Sequence, residues 1–270
     1  MSQPVQALPS ALGSVEDIFR RVKGKEVAVF LDYDGTLVPI VERPELATMP
    51  GAMRSVVKRL AELCTVAIIS GRDRADVERL VNVDSLFYAG SHGFDIAGPQ
   101  RQPLRHEAGS RFSPELDRAE ELLRGHLAGV EDAVIERKRY TIAVHYRLVA
   151  DENLQQVGRG VDSVLASCPT LRKRDGKKVY EVQPNLDWDK GKAVVWLLEA
   201  LELRADTVVP FYIGDDLTDE DAFHALRDRG VGIVVGDGSR PTTARYTLQD
   251  PDEVRQLLDQ IATALRGRVA

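Results

Sequence analysis

VAVFLDYDGT, residues 27–36, is the stretch that decides the fold. Val27 to Leu31 is apolar without a break. Such a run reads as a strand buried on both faces, the pattern of a parallel sheet covered by helices. Asp32 and Asp34 follow at once, where that strand would end. Two residues apart, they are expected on the same side of the chain. The arrangement returns later: Val208 to Ile213 is apolar, then come Gly214, Asp215 and Asp216. Ligands of open α/β sheets bind at the carboxyl ends of the strands. Acids gathered there repel one another unless a cation joins them. A metal site built from strand-end aspartates is the first expectation.

Working outward, strands alternate with helices. A helix is expected over about 51–63, because Met53, Val56, Val57, Leu60 and Leu63 fall at helical spacing. Thr65 to Ile69 reads as the next buried strand and ends at Ser70 of the motif SGR. Asp73 is placed to cap the helix that runs to about Leu80. Leu86 to Ala89 reads as a short strand ending in GSHG. This βαβαβ order predicts a doubly wound, Rossmann-like parallel sheet.

Near residue 105 the pattern changes. RHEAGSRFSP is polar and broken by Gly109 and Pro114. A helix follows, with Leu116, Ala119, Leu122, Leu123 and Leu127 on one face, and a second helical stretch covers about 151–167. Segments 133–136, 141–147 and 179–183 are alternating or β-branched. Helices on one face of a small antiparallel sheet fit this order. QPNLDWD at 183–189 reads as a linker. The alternation then resumes with helix 190–201, strand 208–213, helix 219–228, strands 231–235 and 244–248, and helix 251–265. The expected architecture is an α/β core domain, 1–105 and 185–270, interrupted by an inserted α+β domain, 106–184. Residues 1–13 are expected to be a disordered lead-in.

Composition narrows the function classes. A net charge of -6 argues against a nucleic-acid partner. No apolar run approaches ~18 residues, so no membrane span is expected. MSQPVQALPSAL, the first twelve residues, lacks the basic start and long apolar region of a signal peptide. Cys64 and Cys168 form neither a disulfide framework nor a zinc pattern, which fits a reducing cytosol. A monomer acting on a small molecule is the expectation.

Each motif alone has a plain structural reading. An Asp pair after a strand is common turn chemistry. SGR can be a helix cap, Lys190 a solvated charge, and GDDLTDED at 214–221 an acidic helix start. Their order and shared strand-end context argue for one site.

In that order the signals resemble the haloacid-dehalogenase-like phosphohydrolases. More narrowly, LDYDGTLVPI at 31–40, AIISGR at 67–72, AGSHG at 89–93, HYR at 145–147, EVQP at 181–184 and GDDLTDEDAF at 214–223 are similar to the trehalose-6-phosphate phosphatases. Relatives acting on sucrose phosphate or mannosylglycerate phosphate, and phosphomutases of similar architecture, are the alternatives. The chain departs from the family pattern at Arg137, Arg139 and Gln183.

The residues suggest the chemistry. A carboxylate can split phosphate-ester hydrolysis into two easier steps by forming an aspartyl phosphate. Asp32, the first polar group past the strand, is the candidate nucleophile. The resemblance implies Mg²⁺ held by Asp32, Asp215 and the backbone carbonyl of Asp34, with Asp216 acting behind them. It implies that the Asp34 side chain is the acid and base, and that Ser70 and Lys190 hold the phosphoryl oxygens. The inserted domain would be a cap that closes over the substrate, with Glu136, Lys138 and Glu181 on the sugar. Arg72 and His92 would complete the substrate site from the core. The bland alternative for His145 and Arg147 is a structural role in the cap, and for the run Arg137 to Arg139 a solvated face.

Overall fold

A computed structural model describes residues 3–41, 43–176, 178–238 and 240–269. The chain divides into two compact units, residues 1–105 with 188–270, and residues 106–187.

The first unit is built on strand β1 (Glu26–Leu31). Parallel neighbours flank it: β2 (Thr65–Ile69) on one side and β10 (Val208–Gly214) on the other. Beyond β2 come β3 (Phe87–Gly90) and antiparallel β4 (Asp95–Ala97); the short strand β5 (Arg105–Glu107) falls on the boundary between the units. Beyond β10 lie β11 (Val231–Val235) and β12 (Tyr246–Leu248), both in parallel. The five-residue apolar run splits by alternation, as a strand covered on both faces must. Val27, Val29 and Leu31 join the core beneath helices α1 (Val15–Arg21), α2 (Gly51–Ala61), α3 (Arg74–Val81) and α8 (Pro251–Val269). Ala28 and Phe30 join the opposite core, beneath α6 (Lys190–Ala200) and α7 (Glu220–Leu226). The sheet is therefore doubly wound, and its strand ends carry the acidic motifs.

The second unit contains α4 (Ser113–Leu127), α5 (Leu154–Ser167) and a four-stranded antiparallel sheet. Its strands are β6 (Val134–Arg137), β7 (Ile142–His145), β8 (Leu171–Gly176) and β9 (Val179–Pro184), in the order β6-β7-β9-β8. Ile142, Val144 and Val182 pack with Leu116, Leu123, Val157 and Val161 of the helices. Ala143 pairs with Glu136 on one neighbour and Glu181 on the other. Alternation then puts both glutamates on the face away from the helices.

Several expectations are corrected. Residues 3–13 are not a disordered lead-in; Met1 and Ser2 lie outside the described residues. Gln3–Pro4 pairs with Pro241–Thr242, and Val5 and Ala11 are buried. Short Pro-bearing pieces have no periodicity to read, so this segment and α1 were illegible. Asp73 stands at the α3 N-cap position without a capping bond; its Oδ1 accepts from Ser91 Oγ at 3.0 Å instead. Gln183 and Pro184 belong to β9, not to a linker, and the second unit runs to Asp187. Strand β8, LRKRDG, was missed because an edge strand can be charged and still pair. Among the described residues no helix is long and apolar enough to cross a membrane.

Candidate active site

Parallel pairing sets Leu31 of β1 beside Ile213 of β10. Asp32 and Asp215 thus leave neighbouring strand ends. Asp32 N–H donates to Ile213 O at 2.9 Å, which prolongs the ladder by one bond and fixes the Asp32 backbone. Gly35 has φ +82°, and a Cβ there would overlap the Asp215 carboxylate. Only glycine lets the DYDGT turn close on that carboxylate.

Oxygens from Asp32, Asp215 and Asp219 lie within 4.8 Å of one another. Lys190, at the first position of α6, is 1% exposed and reaches into this group. Its Nζ donates to Asp32 Oδ1 at 2.8 Å and to Asp219 Oδ1 at 2.7 Å. Asp219 was not singled out from the sequence, although it stands inside GDDLTDED. Its Oδ1 also accepts from Tyr212 OH at 2.6 Å, and its Oδ2 from Asp216 N–H at 2.9 Å. Asp216 in turn accepts from Thr218 N–H at 2.7 Å and Asp219 N–H at 3.3 Å, a reciprocal capping box. Both Asp219 oxygens are thus taken by protein donors, Lys190 and Tyr212 on Oδ1 and Asp216 N–H on Oδ2. Asp215 Oδ1 differs: it is buried, and among the described residues it has no hydrogen-bond partner. An orphaned acceptor beside Asp32 fits a cation better than any protein donor present.

Electrostatics agree. Burial pushes the Asp32 carboxyl well up, Lys190 opposes it, and the Asp219 and Asp215 carboxylates add to the rise. Burial, then Asp219 and Asp216, pushes Asp215 up to about 7. For Lys190 burial favours the neutral amine, but Asp219 and Asp32 outweigh it and hold it protonated. Asp216 has a half-exposed side chain. Its burial would raise it, but Lys190 and Thr218 hold it below the usual range.

The SGR and GSHG segments interlock beside this group. Ser70 is 1% exposed, and its N–H donates to Ala89 O at 2.8 Å. His92 N–H donates to Ser70 O at 2.9 Å, and the buried His92 ring lies over Gly71, where a Cβ would come within 2.8 Å of Cε1. Arg72 is not held as a ready substrate contact. Its Nε and Nη2 donate to the two Asp34 oxygens at 2.7 Å each, and its Nη1 to Asp76 Oδ2 at 3.1 Å. The Asp34 carboxylate consequently lies outside the Asp32–Asp215–Asp219 group among the described residues.

In the second unit, His145 Nε2 lies 2.9 Å from Glu136 Oε2, and Lys138 Nζ lies 3.4 Å from Glu181 Oε1. The hydrogen bond to His145, with help from Lys138, holds Glu136 below its usual range against the effect of burial. Arg137 and Arg139 are tied to Asp117 at 2.9 Å and Glu107 at 3.0 Å, so the basic run is partly structural. Gln183 is buried, and with its amide oxygen turned toward Arg172 it accepts from Nε at 3.0 Å and Nη2 at 3.1 Å.

A doubly wound sheet with DxD after one strand, Ser after the next, a buried Lys and a Gly-Asp-Asp turn defines a haloacid-dehalogenase-like hydrolase. Comparison with known proteins narrows this. Residues 30–252 match the profile of the trehalose-phosphatase family, and the chain belongs to that family. It is 42% identical over 275 residues to the probable trehalose-phosphate phosphatase D of Arabidopsis thaliana, covering 96% of this chain and 74% of that protein. It is equally similar, at 42%, to the trehalose 6-phosphate phosphatase RA3 of Zea mays, covering 96% of this chain and 76% of the relative. A crystal structure of a trehalose-6-phosphate phosphatase related protein superposes with a TM-score of 0.77 at 26% identity, covering 90% of this chain and all 100% of the other.

Proposed function

We propose that the chain hydrolyses trehalose 6-phosphate to trehalose and phosphate through an aspartyl phosphate on Asp32. One observation carries this reading: Asp32, anchored by Lys190 at 2.8 Å, stands beside an Asp215 oxygen, Oδ1, that has no hydrogen-bond partner among the described residues. The metal we assign is Mg²⁺, held by the carboxylates of Asp32 and Asp215 and the backbone carbonyl of Asp34; when bound it would offset the charge of the incoming phosphate.

The chain's own residues do the rest. Lys190 holds Asp32 Oδ1, which leaves the other oxygen to attack phosphorus. The new Asp32–phosphorus bond forms as the bond to the sugar oxygen breaks. Asp34 gives that oxygen a proton, then takes one from the water that attacks the phosphoenzyme and frees Asp32. For that, one Asp34 oxygen must leave the Arg72 fork. Ser70 and Lys190 stabilise the phosphoryl oxygens. His92 helps shape the pocket on the core side.

A phosphate site alone cannot choose among sugars, because choice needs hydrogen bonds to hydroxyls. We assign residues 106–187 the role of a cap and Glu136, Lys138 and Glu181 the role of gripping the sugar. What supports the assignment is the sheet face shared by Glu136 and Glu181, the His145 partner that holds Glu136 as a carboxylate, and the Lys138 ammonium 3.4 Å from Glu181. The two free cysteines fit a cytosolic enzyme.

The test is phosphate release from trehalose 6-phosphate, sucrose 6-phosphate and hexose phosphates, with and without Mg²⁺. Trehalose 6-phosphate should be turned over fastest and only with the metal. A faster rate on another sugar phosphate would move the assignment to that sugar. Near wild-type release by Asp32→Asn would remove the covalent route, since an amide cannot form the acyl phosphate.

A further inference from the structure

One peptide plane in the acidic site is gripped from both sides. It joins Asp215 to Asp216. Its N–H, on Asp216, donates to Asp219 Oδ2 at 2.9 Å. Its carbonyl, on Asp215, accepts from Arg240 Nη2. Arg240 is far from every motif read in the sequence, and its side chain is 24% exposed. Its Nη1 lies 3.8 Å from Glu220 Oε1, while Glu220 Oε2 accepts from Thr243 N–H at 2.8 Å and Thr243 Oγ1 at 3.0 Å. The guanidinium therefore ties the turn after β10 to the loop between β11 and β12.

The N-terminal segment runs alongside residues of that loop. Gln3 pairs with Thr242 and Pro4 with Pro241. Val5 N–H donates to Arg240 O at 3.2 Å, and Gln6 Nε2 to Asp237 O at 3.3 Å. Val5 is 1% exposed and packs in the core with Phe30, Val194 and Tyr212. Four successive residues, Gln3 to Gln6, thus brace the segment from which Arg240 projects.

We infer that Arg240 is a positioning residue for the Asp215 carboxylate and that residues 3–6 hold it in place, an inference that rests on the assignment of Asp215 as a metal-holding group. A charge-assisted bond to the carbonyl fixes the rotation of the peptide plane, and so the direction in which the Asp215 side chain leaves the backbone. Groups behind a metal ligand commonly set its affinity in this way.

The test is Mn²⁺ binding to the full-length protein without substrate, read by electron paramagnetic resonance, alongside the thermal midpoint. Arg240→Gln keeps a donor but loses the charge and the fork; it should weaken Mn²⁺ about tenfold or more. Arg240→Lys keeps the charge and should fall between it and wild type. Val5→Pro removes the N–H that meets Arg240 O and alters the buried Val5 side chain, so it is read against Val5→Ala, which keeps the N–H; it should weaken Mn²⁺ more than Val5→Ala but less than Arg240→Gln. Asp215→Ala should weaken it most. If Asp215→Ala binds Mn²⁺ like wild type, the metal assignment itself is wrong. If Asp215→Ala loses Mn²⁺ while both Arg240 variants bind normally and only melt earlier, Arg240 is structural and this inference alone falls. If Arg240→Gln does not fold, Arg240→Lys decides by the same criterion. Normal binding by Val5→Pro would overturn the part given to the N-terminal segment.

Discussion

The Lys190 ammonium donates to Asp32 Oδ1 across 2.8 Å, and neither side chain is more than 7% exposed. Asp219, wholly buried, shares the same ammonium at 2.7 Å. One buried cation thus compensates two buried carboxylates. Taking one partner from such a group commonly costs about 3–5 kcal/mol, because the remaining charges lose their compensation without regaining water. Lys190→Met is expected to abolish turnover and to lower the urea midpoint. Lys190→Arg should recover part of the stability and little of the turnover, since a planar fork does not match a site built around a point charge. Stability equal to wild type in Lys190→Met would contradict the compensation argued here.

Gly35 offers a second test, local to the turn. Its φ of +82° costs a residue with a Cβ about 1–2 kcal/mol, and the added carbon would also collide with the Asp215 carboxylate. Gly35→Ala is expected to fold, to melt a few degrees lower and to need far more Mg²⁺ for turnover. Gly24, with φ +75° and open space around its Cα, is the control. Gly24→Ala should share the backbone cost and keep the wild-type Mg²⁺ requirement. Equal metal requirements in the two variants would show that contact with Asp215 does not matter.

Much of this site was legible in the sequence because unbroken apolar runs betray parallel strands and the acids stand directly behind them. Asp32, Asp34, Ser70, Lys190 and Asp215 all sit at or next to element ends, where the one-dimensional pattern changes. What escaped was every feature that depends on pairing in three dimensions. Asp219 looks in the sequence like one more acid at a helix start, and only Tyr212 and Lys190 reveal that it is buried. Arg72 reads in the sequence as a residue completing the substrate site from the core, and its fork on Asp34 and its bond to Asp76 are visible only in three dimensions. Arg240 owes its position to residues more than two hundred places earlier, and no local pattern encodes that contact.

The Asp215 carboxyl, pushed up to about 7 from an ordinary 3.8, makes the stability of metal-stripped protein depend on pH. The folded state holds this proton more tightly than the unfolded chain does. Its stabilising effect is therefore complete below about pH 4 and lost as pH rises through about 7. With EDTA present, the contribution of this group should make the thermal midpoint fall from about pH 4 and level off above about pH 7. Asp215→Asn should flatten that fall. Mg²⁺ binds the deprotonated carboxylates, so it should raise the midpoint more at pH 8 than at pH 6. EDTA should also stop turnover and Mg²⁺ restore it, with Ca²⁺ a poor substitute because it prefers looser, larger coordination. A midpoint in EDTA as flat for wild type as for Asp215→Asn would disprove the raised carboxyl.

The last prediction separates sugar recognition from phosphate chemistry. Lys138 and Glu181 lie 3.4 Å apart with side chains each 15% exposed, and Glu136 sits on the same sheet face as Glu181. Groups this dry are suited to hydroxyls, since each bond made to a sugar replaces water that is already largely excluded. Losing one such bond and leaving its partner unsatisfied costs about 1–3 kcal/mol. Glu181→Ala and Lys138→Ala are therefore expected to cut kcat/KM for trehalose 6-phosphate by about tenfold or more. p-Nitrophenyl phosphate has no sugar, so its kcat/KM should change little in the same variants. Asp34→Asn should show a different signature. It removes the proton donor, so trehalose 6-phosphate, with a poor leaving group, should suffer in kcat more than in KM. Equal losses on both substrates for Glu181→Ala and Lys138→Ala would mean that these residues support the fold of residues 106–187 and do not read the sugar.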